Sequence, residues 1–321
     1  MEILEAYCEE LHRVIGIYEA QEEYFSQPIG QRSRFTFRCS DAACRATNHP
    51  LVVGANYHKN AEDSEKYQQP HFRSHPNHPH IDACMWVTLE VERQKATSDP
   101  TSGSAKSKAT NAVDIFEPRN ADTSRSSAAT TIIDLSKTTS SDAAEQGGIR
   151  TVEHTGISTT SLLEKLIDCW SNMEHQDRLS HRITINDRTI TYYQLCLHIN
   201  KLTEDKNGAR VIYGGARVQK WPANTEARYY YVNFFDGCDR FPDTSGEKSL
   251  TISLPIKRLK NSRRGALLIN RLEQALQANH YLQVYAWGNV TAHPNGKGYV
   301  LNLAALDNLV LKAIKKKQVG Q

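Results

Sequence analysis

The chain has 321 residues, 39% of them hydrophobic, and a mean hydropathy of −0.58, enough length for two domains but too polar to be packed core throughout. Its net charge of +3 conceals an asymmetry: from Ala209 onward 17 Lys and Arg face 7 Asp and Glu, and the preceding residues carry 22 against 29. No apolar run approaches the roughly 18–20 residues that cross a bilayer, which excludes a helical membrane span.

The first 26 residues place Ile3, Leu4, Tyr7, Leu11, Val14, Ile15 and Tyr18 at helical spacing, so they predict an amphipathic helix ended by Pro28 and Gly30. That start is acidic and lacks the pattern of a signal peptide. Seven cysteines, an odd number unevenly spread, do not read as a secreted disulfide scaffold. The expectation is a cytoplasmic chain in a reducing compartment, with no membrane partner.

Between Arg34 and Cys84 lie three of the seven cysteines and six of the thirteen histidines. Cys39 and Cys44 flank the turn-forming Ser-Asp-Ala-Ala, a knuckle that can aim two thiolates at one point. The return segment PHFRSHPNHPHIDAC adds His71, His75, His78, His80 and Cys84. Zinc takes four soft or borderline ligands in a tetrahedron, commonly two from a short loop and two from a distant segment. The expected set is Cys39, Cys44, Cys84 and one imidazole, His75 first, with His71 and His80 as alternates. Such a structural Zn2+ site is closed; it stabilises the fold and does no chemistry. The module ends in CMWVTLEVE, which reads as a strand.

The order of Phe37, Cys39, Cys44, the run His71-Phe72-Arg73-Ser74-His75, His80 and Cys84 resembles the N-terminal zinc-finger-like element of competence protein CoiA-type and related bacterial nuclease-associated proteins. Here four residues separate the first two cysteines, where the family has a shorter spacing. The resemblance implies a zinc-bound module for DNA-related work, often followed by a nuclease domain. The acidic signature of such a domain, an Asp on one strand and Glu-x-Lys on the next, is missing. Glu204-Asp205-Lys206 falls in a loop after a helix.

Residues 95–160 are rich in Ser, Thr, Ala, Asp and Gly without a sustained apolar period, and predict a disordered linker. Two apolar islands, Val113–Phe116 and Ile132–Leu135, are chance clusters or docking peptides for other proteins. A connector follows over 161–207. SLLEKLIDCWSNM predicts a helix with Leu162, Leu163, Leu166, Ile167 and Trp170 on one side. RITINDRTIT predicts two short strands turning at Asn186-Asp187, with a helix from about Tyr192.

From residue 208 the pattern is strand after strand. RVIYGGARVQKW carries a mid-strand glycine pair, the mark of a sharply coiled strand. RYYYVNFF and SLTISLPIKRL follow, then the helix RRGALLINRLEQALQANHY, then LQVYAWGNVTA and KGYVLNLAALDNLVL as a hairpin. Three strands, a helix and two strands resemble an OB-fold. The fold class is therefore α+β and multidomain: an N-terminal helix with a zinc-stabilised β module, a linker, and a basic five-stranded OB-like β-barrel with one inserted helix.

OB-folds bind single strands on the face of strands 2 and 3. Tyr229, Tyr231 and Phe235 share one side of strand 2, Tyr230 and Phe234 the other; alternation alone does not say which side is core. Candidate phosphate contacts are Arg217 and Lys220 on strand 1, Lys257, Arg258, Arg263 and Arg264 after strand 3, and Lys297 in the last hairpin. The expected function is binding of single-stranded DNA or RNA by an accessory protein of a bacterial DNA-processing or mobile-element system. A metal-dependent nuclease or nuclease-associated subunit is the alternative, and a protein-interaction adaptor the second.

Overall fold

The computed structural model describes residues 1–59, 69–98, 112–122, 159–223, 226–242 and 247–316. It is a mixed α+β protein with several sheets. The chain opens with three short strands, β1 (Glu2–Ile3), β2 (Glu5–Cys8) and β3 (Arg13–Gly16), and only then a helix, α1 (Ile17–Ser26). This corrects the helix expected over 1–26. A left-handed turn at His12 (φ 53°) folds β2 back on β3, pairing Ala6 with Ile15 and Cys8 with Arg13. Ala6, Cys8 and Ile15 then enter the core and leave Leu4 in solvent. Strands this short show too few residues to reveal a period of two.

Next come β4 (Phe37–Cys39), α2 (Ala42–Asn48), β5 (Leu51–Ala55), β6 (His71–Ser74) and α3 (Met85–Ser98). The six strands form an antiparallel sheet in the order β1-β6-β5-β4-β2-β3. Phe37, Val52, Tyr57, Phe72 and Trp86 pack together on it. The expected strand CMWVTLEVE is the start of α3. Asp41 accepts the Met85 N–H (3.1 Å) and Cys84 accepts from Thr88, so the first turn is capped and its β-branched residues follow.

The middle of the chain supplies β7 (Ile115–Phe116), β8 (Thr159–Thr160), α4 (Leu163–Asn172), α5 (His175–Ser180), β9 (Arg182–Ile185), β10 (Arg188–Thr191), α6 (Tyr192–Leu195) and β11 (Cys196–His198). β10, β9, β7 and β8 make a second sheet. Its tight hairpin turns at Asn186 and Asp187, both at positive φ. The helix expected from Tyr192 has four residues and gives way to β11. Residues 112–122 lie within the expected linker yet are built into this unit. Val113 and Phe116 are fully buried, and the Tyr192 hydroxyl donates to the Val113 carbonyl (2.6 Å) and accepts its N–H (2.7 Å). The island Ile132–Leu135 lies outside the described residues.

The basic half contributes β12 (Val211–Trp221), β13 (Tyr229–Phe234), β14 (Leu250–Pro255), α7 (Ile256–Asn261), α8 (Gly265–Ala275), β15 (His280–Ala286), β16 (Asn289–Ala292), β17 (Tyr299–Asn302) and β18 (Leu309–Lys315). The sheet runs β16-β17-β14-β13-β12-β15-β18, with β11 parallel to β12, eight strands in all. Among the described residues no sheet closes into a barrel, and two helices follow β14. This corrects the five-stranded barrel with one helix. The reason lies in the last segment: β17 pairs parallel with β14 and β18 antiparallel with β15, so two strands share the position that one closing strand would fill.

Ion pairs join the N-terminal unit to the basic half. Arg263, ahead of α8, meets Glu19 (2.7 Å) and Glu22 (3.1 Å) of α1, and the buried Arg264 meets Glu22 (3.3 Å). Glu164 of α4 bonds both Arg264 and Arg271. The Tyr18 hydroxyl donates to Asp168 (2.8 Å), which also accepts from Lys312 (2.9 Å). Burial pushes Glu22 up to about 7 against the pull of Arg264 and Arg263. Burial raises Glu164 too, but Arg271 and Arg264 outweigh it and hold the carboxyl at about 2.

Candidate functional sites

The thiols of Cys39, Cys44 and Cys84 converge with the imidazole of His80, all four ligand atoms lying within 4.8 Å of one another. Cys39 ends β4, Cys44 sits in the first turn of α2, and His80 and Cys84 lie just before α3. Asp41 ties these segments together. It caps α2 by accepting the Cys44 N–H (3.1 Å) and caps α3 through Met85. Its own burial is outweighed by these backbone donors, which hold its carboxyl below the usual range. Arg45 bonds the carbonyls of Cys39 (2.7 Å) and Ser40 (2.9 Å), and the Trp86 indole donates to Ser40 (2.9 Å).

All three thiols are fully buried. Burial pushes Cys39 and Cys44 up, and it pushes the His80 imidazolium down against the pull of Asp41. The fourth member is thus His80, an expected alternate, and not His75. The His75 ring packs edge-on against His78 (4.7 Å) and its Nδ1 accepts the Asn77 N–H (3.2 Å). His71, on β6, is 3.0 Å from the Gln69 carbonyl.

The second candidate is the outer face of the large sheet. Along β13 the residues alternate, with Tyr230, Val232 and Phe234 buried and Tyr229, Tyr231 and Asn233 half-buried; the next residue, Phe235, is 57% exposed. Register places Tyr229 opposite Trp221, Tyr231 opposite Gln219 and Asn233 opposite Arg217. Trp221 is 59% exposed, and Arg217 and Gln219 are exposed beside it. The Tyr229 and Tyr231 rings lie parallel, 6.0 Å apart, and Phe235 leans on Tyr281 of β15 (6.2 Å). Solvent thus meets an aromatic surface with one guanidinium in its middle.

The other expected cations are placed differently. Lys220 points to the opposite side, pairing with Glu273 (2.7 Å) and lying over the Tyr230 ring. Arg258 is held by Asp122 (2.6 Å) and the carbonyls of Leu303 and Ala304 (both 3.1 Å). Arg263 and Arg264 belong to the inter-unit ion pairs. Three arginines of the flanking cationic run are therefore engaged by carboxylates of this chain, because α1, α4 and the 112–122 segment fold onto them. Lys257 and Lys297 are exposed, on α7 and on the β16–β17 turn.

Sequence reasoning missed Trp221 and Tyr281, although the alternation that runs through Arg217 and Gln219 leads to Trp221. It also missed the buried carboxylates, for which no local signal exists. Glu204-Asp205-Lys206 forms an isolated 3-10 turn. No helix among the described residues is long and apolar enough to cross a membrane. No family model matches the chain, and neither a curated protein nor a solved structure does.

Proposed function

We propose that the protein is a single-stranded nucleic-acid-binding accessory factor carrying a structural zinc site. The observation that carries the reading is the aromatic outer face: Trp221, Tyr229, Tyr231, Phe235 and Tyr281 stand on a sheet with Arg217 among them. Planar rings held by a rigid backbone offer stacking partners to unpaired bases, worth about 1–3 kcal/mol per base. A protein with an inert face would hide such rings, since contiguous exposed apolar patches are the mark of an interaction surface. The OB-like part of the reading rests on three consecutive antiparallel strands, the helices that follow, and a next strand returning to β12.

Zinc suits the Cys39, Cys44, His80 and Cys84 cluster on its dimensions. With Zn–S near 2.3 Å and Zn–N near 2.05 Å, a tetrahedron has S···S edges of about 3.8 Å and S···N edges of about 3.5 Å. The Cys39–Cys84 sulfurs are 3.7 Å apart, and His80 Nδ1 is 3.5 Å from Cys44 Sγ and 3.4 Å from Cys84 Sγ. Four protein ligands leave no open position, so the ion would hold β4, α2 and the start of α3 together and perform no chemistry. Seven free cysteines fit work in the cytoplasm or another reducing compartment.

Fluorescence anisotropy of the full chain with matched single- and double-stranded oligonucleotides tests the reading. Single strands should bind more tightly, and affinity should fall with salt. Absence of binding to any oligonucleotide at low salt refutes it.

A further inference from the structure

The rings of the outer face fall into two groups with a cation between them. Trp221, Tyr229 and Tyr231 stand at one end; Phe235 and Tyr281 stand at the other, where the Phe235 N–H donates to the Gly215 carbonyl (2.9 Å). Gly215 leaves room for the Phe235 ring, which lies where a β-carbon at that position would press. On β12, Arg217 is two residues from Gln219, which faces Tyr231, and two residues from Gly215. At about 3.4 Å per residue, the backbone of Arg217 stands ~7 Å along the strand from each group's register position, and the face from Trp221 to Gly215 is ~20 Å long.

Beyond Gly215 the floor is covered. The next outward residue of β12, Tyr213, is stacked on Tyr285 (5.8 Å), meets His198 edge-on (5.1 Å) and packs beneath Trp170 of α4 (6.2 Å). Arg178 of α5 lies over Trp170 (4.2 Å). Tyr285 is only 9% exposed, so α4 and α5 form a wall at this end. At the other end Trp221 is the last residue of β12.

A stacked strand advances about 3.4 Å per phosphate, and the six backbone bonds of each nucleotide let an unstacked strand stretch to roughly twice that. A ~20 Å floor then holds about three or four nucleotides, with the phosphate between the two ring groups over Arg217. We infer that the face takes a short unpaired tract of about four nucleotides, stopped at the α4–α5 wall, and not a long strand crossing the protein. This inference rests on the single-strand reading of the same face.

The test is anisotropy of the full chain with oligothymidylates from dimer to dodecamer at one salt concentration. Affinity should rise steeply with each nucleotide up to about four, then grow only with the number of registers available. Trp221→Ala and Phe235→Ala remove exposed rings at the two ends. Each should lower the plateau affinity about tenfold and bring the plateau about one nucleotide earlier. Affinity that climbs by a constant factor per nucleotide to the dodecamer, or a plateau that neither substitution moves, overturns the footprint while single-strand binding stands. No binding at any length overturns both.

Discussion

Glu164→Gln should destabilise the protein strongly. The carboxylate is 1% exposed and bridges Arg264 (1%) and Arg271 (4%). Glutamine keeps the size but removes the negative charge that the two buried guanidiniums share, while Glu22 still meets Arg264 (3.3 Å). A carboxyl held at about 2 in place of its ordinary 4.5 is favoured in the folded state by about 3 kcal/mol. Breaking one partner of a buried pair costs about 3–5 kcal/mol, in agreement. Because the folded value is depressed, this stability is present above about 4.5 and is lost as pH falls through about 2. The assay is urea denaturation followed by tryptophan fluorescence, since Trp170 stands on α4 and Trp287 packs in the core that α4 lines. At pH 7 the variant should lose about 3–4 kcal/mol, and the gap should close as pH approaches 2. A loss below about 1 kcal/mol at pH 7, or a gap independent of pH, refutes the account.

Glu22 behaves in the opposite sense. Its raised carboxyl contributes stability that is full below about 4.5 and is lost as pH rises through about 7. Glu22→Gln should flatten the decline of the melting temperature between those pH values. At the Cys/His cluster, the parent chain should carry one equivalent of zinc by elemental analysis; His80→Ala and Cys44→Ser should each lower it and loosen the N-terminal sheet, while His75→Ala should retain full metal. On β13, the buried Tyr230→Ala should cost about 3–5 kcal/mol of stability. The outward Tyr231→Ala should leave folding within about 1 kcal/mol and weaken oligonucleotide affinity by about 1–3 kcal/mol. Arg217→Gln should lower the slope of log affinity for single strands against log salt by about 0.7, the release of one phosphate's counterions.

The sequence by itself determined the features that rest on spacing and alternation. Three of the four members of the candidate metal cluster, Cys39, Cys44 and Cys84, were legible because a cysteine pair on a turn and a Cys/His return stand out in a chain with few cysteines. The two faces of β13 were legible because the strand period is two, as were the Asn186-Asp187 hairpin and the apolar side of α4. Tertiary structure decided the rest. Which histidine joins the thiols depends on where α3 begins, and that is set by Asp41 reaching across from the α2 loop to cap Met85. Which face of β13 is core depends on where Leu268 and Leu272 of α8 pack, a contact between segments far apart in sequence. The roles of Arg258, Arg263 and Arg264 were invisible locally: a basic run reads as a phosphate track until carboxylates at Asp122, Glu19, Glu22 and Glu164 fold against it. Charge pairing acts through space over a few ångströms, and sequence separation carries no record of it.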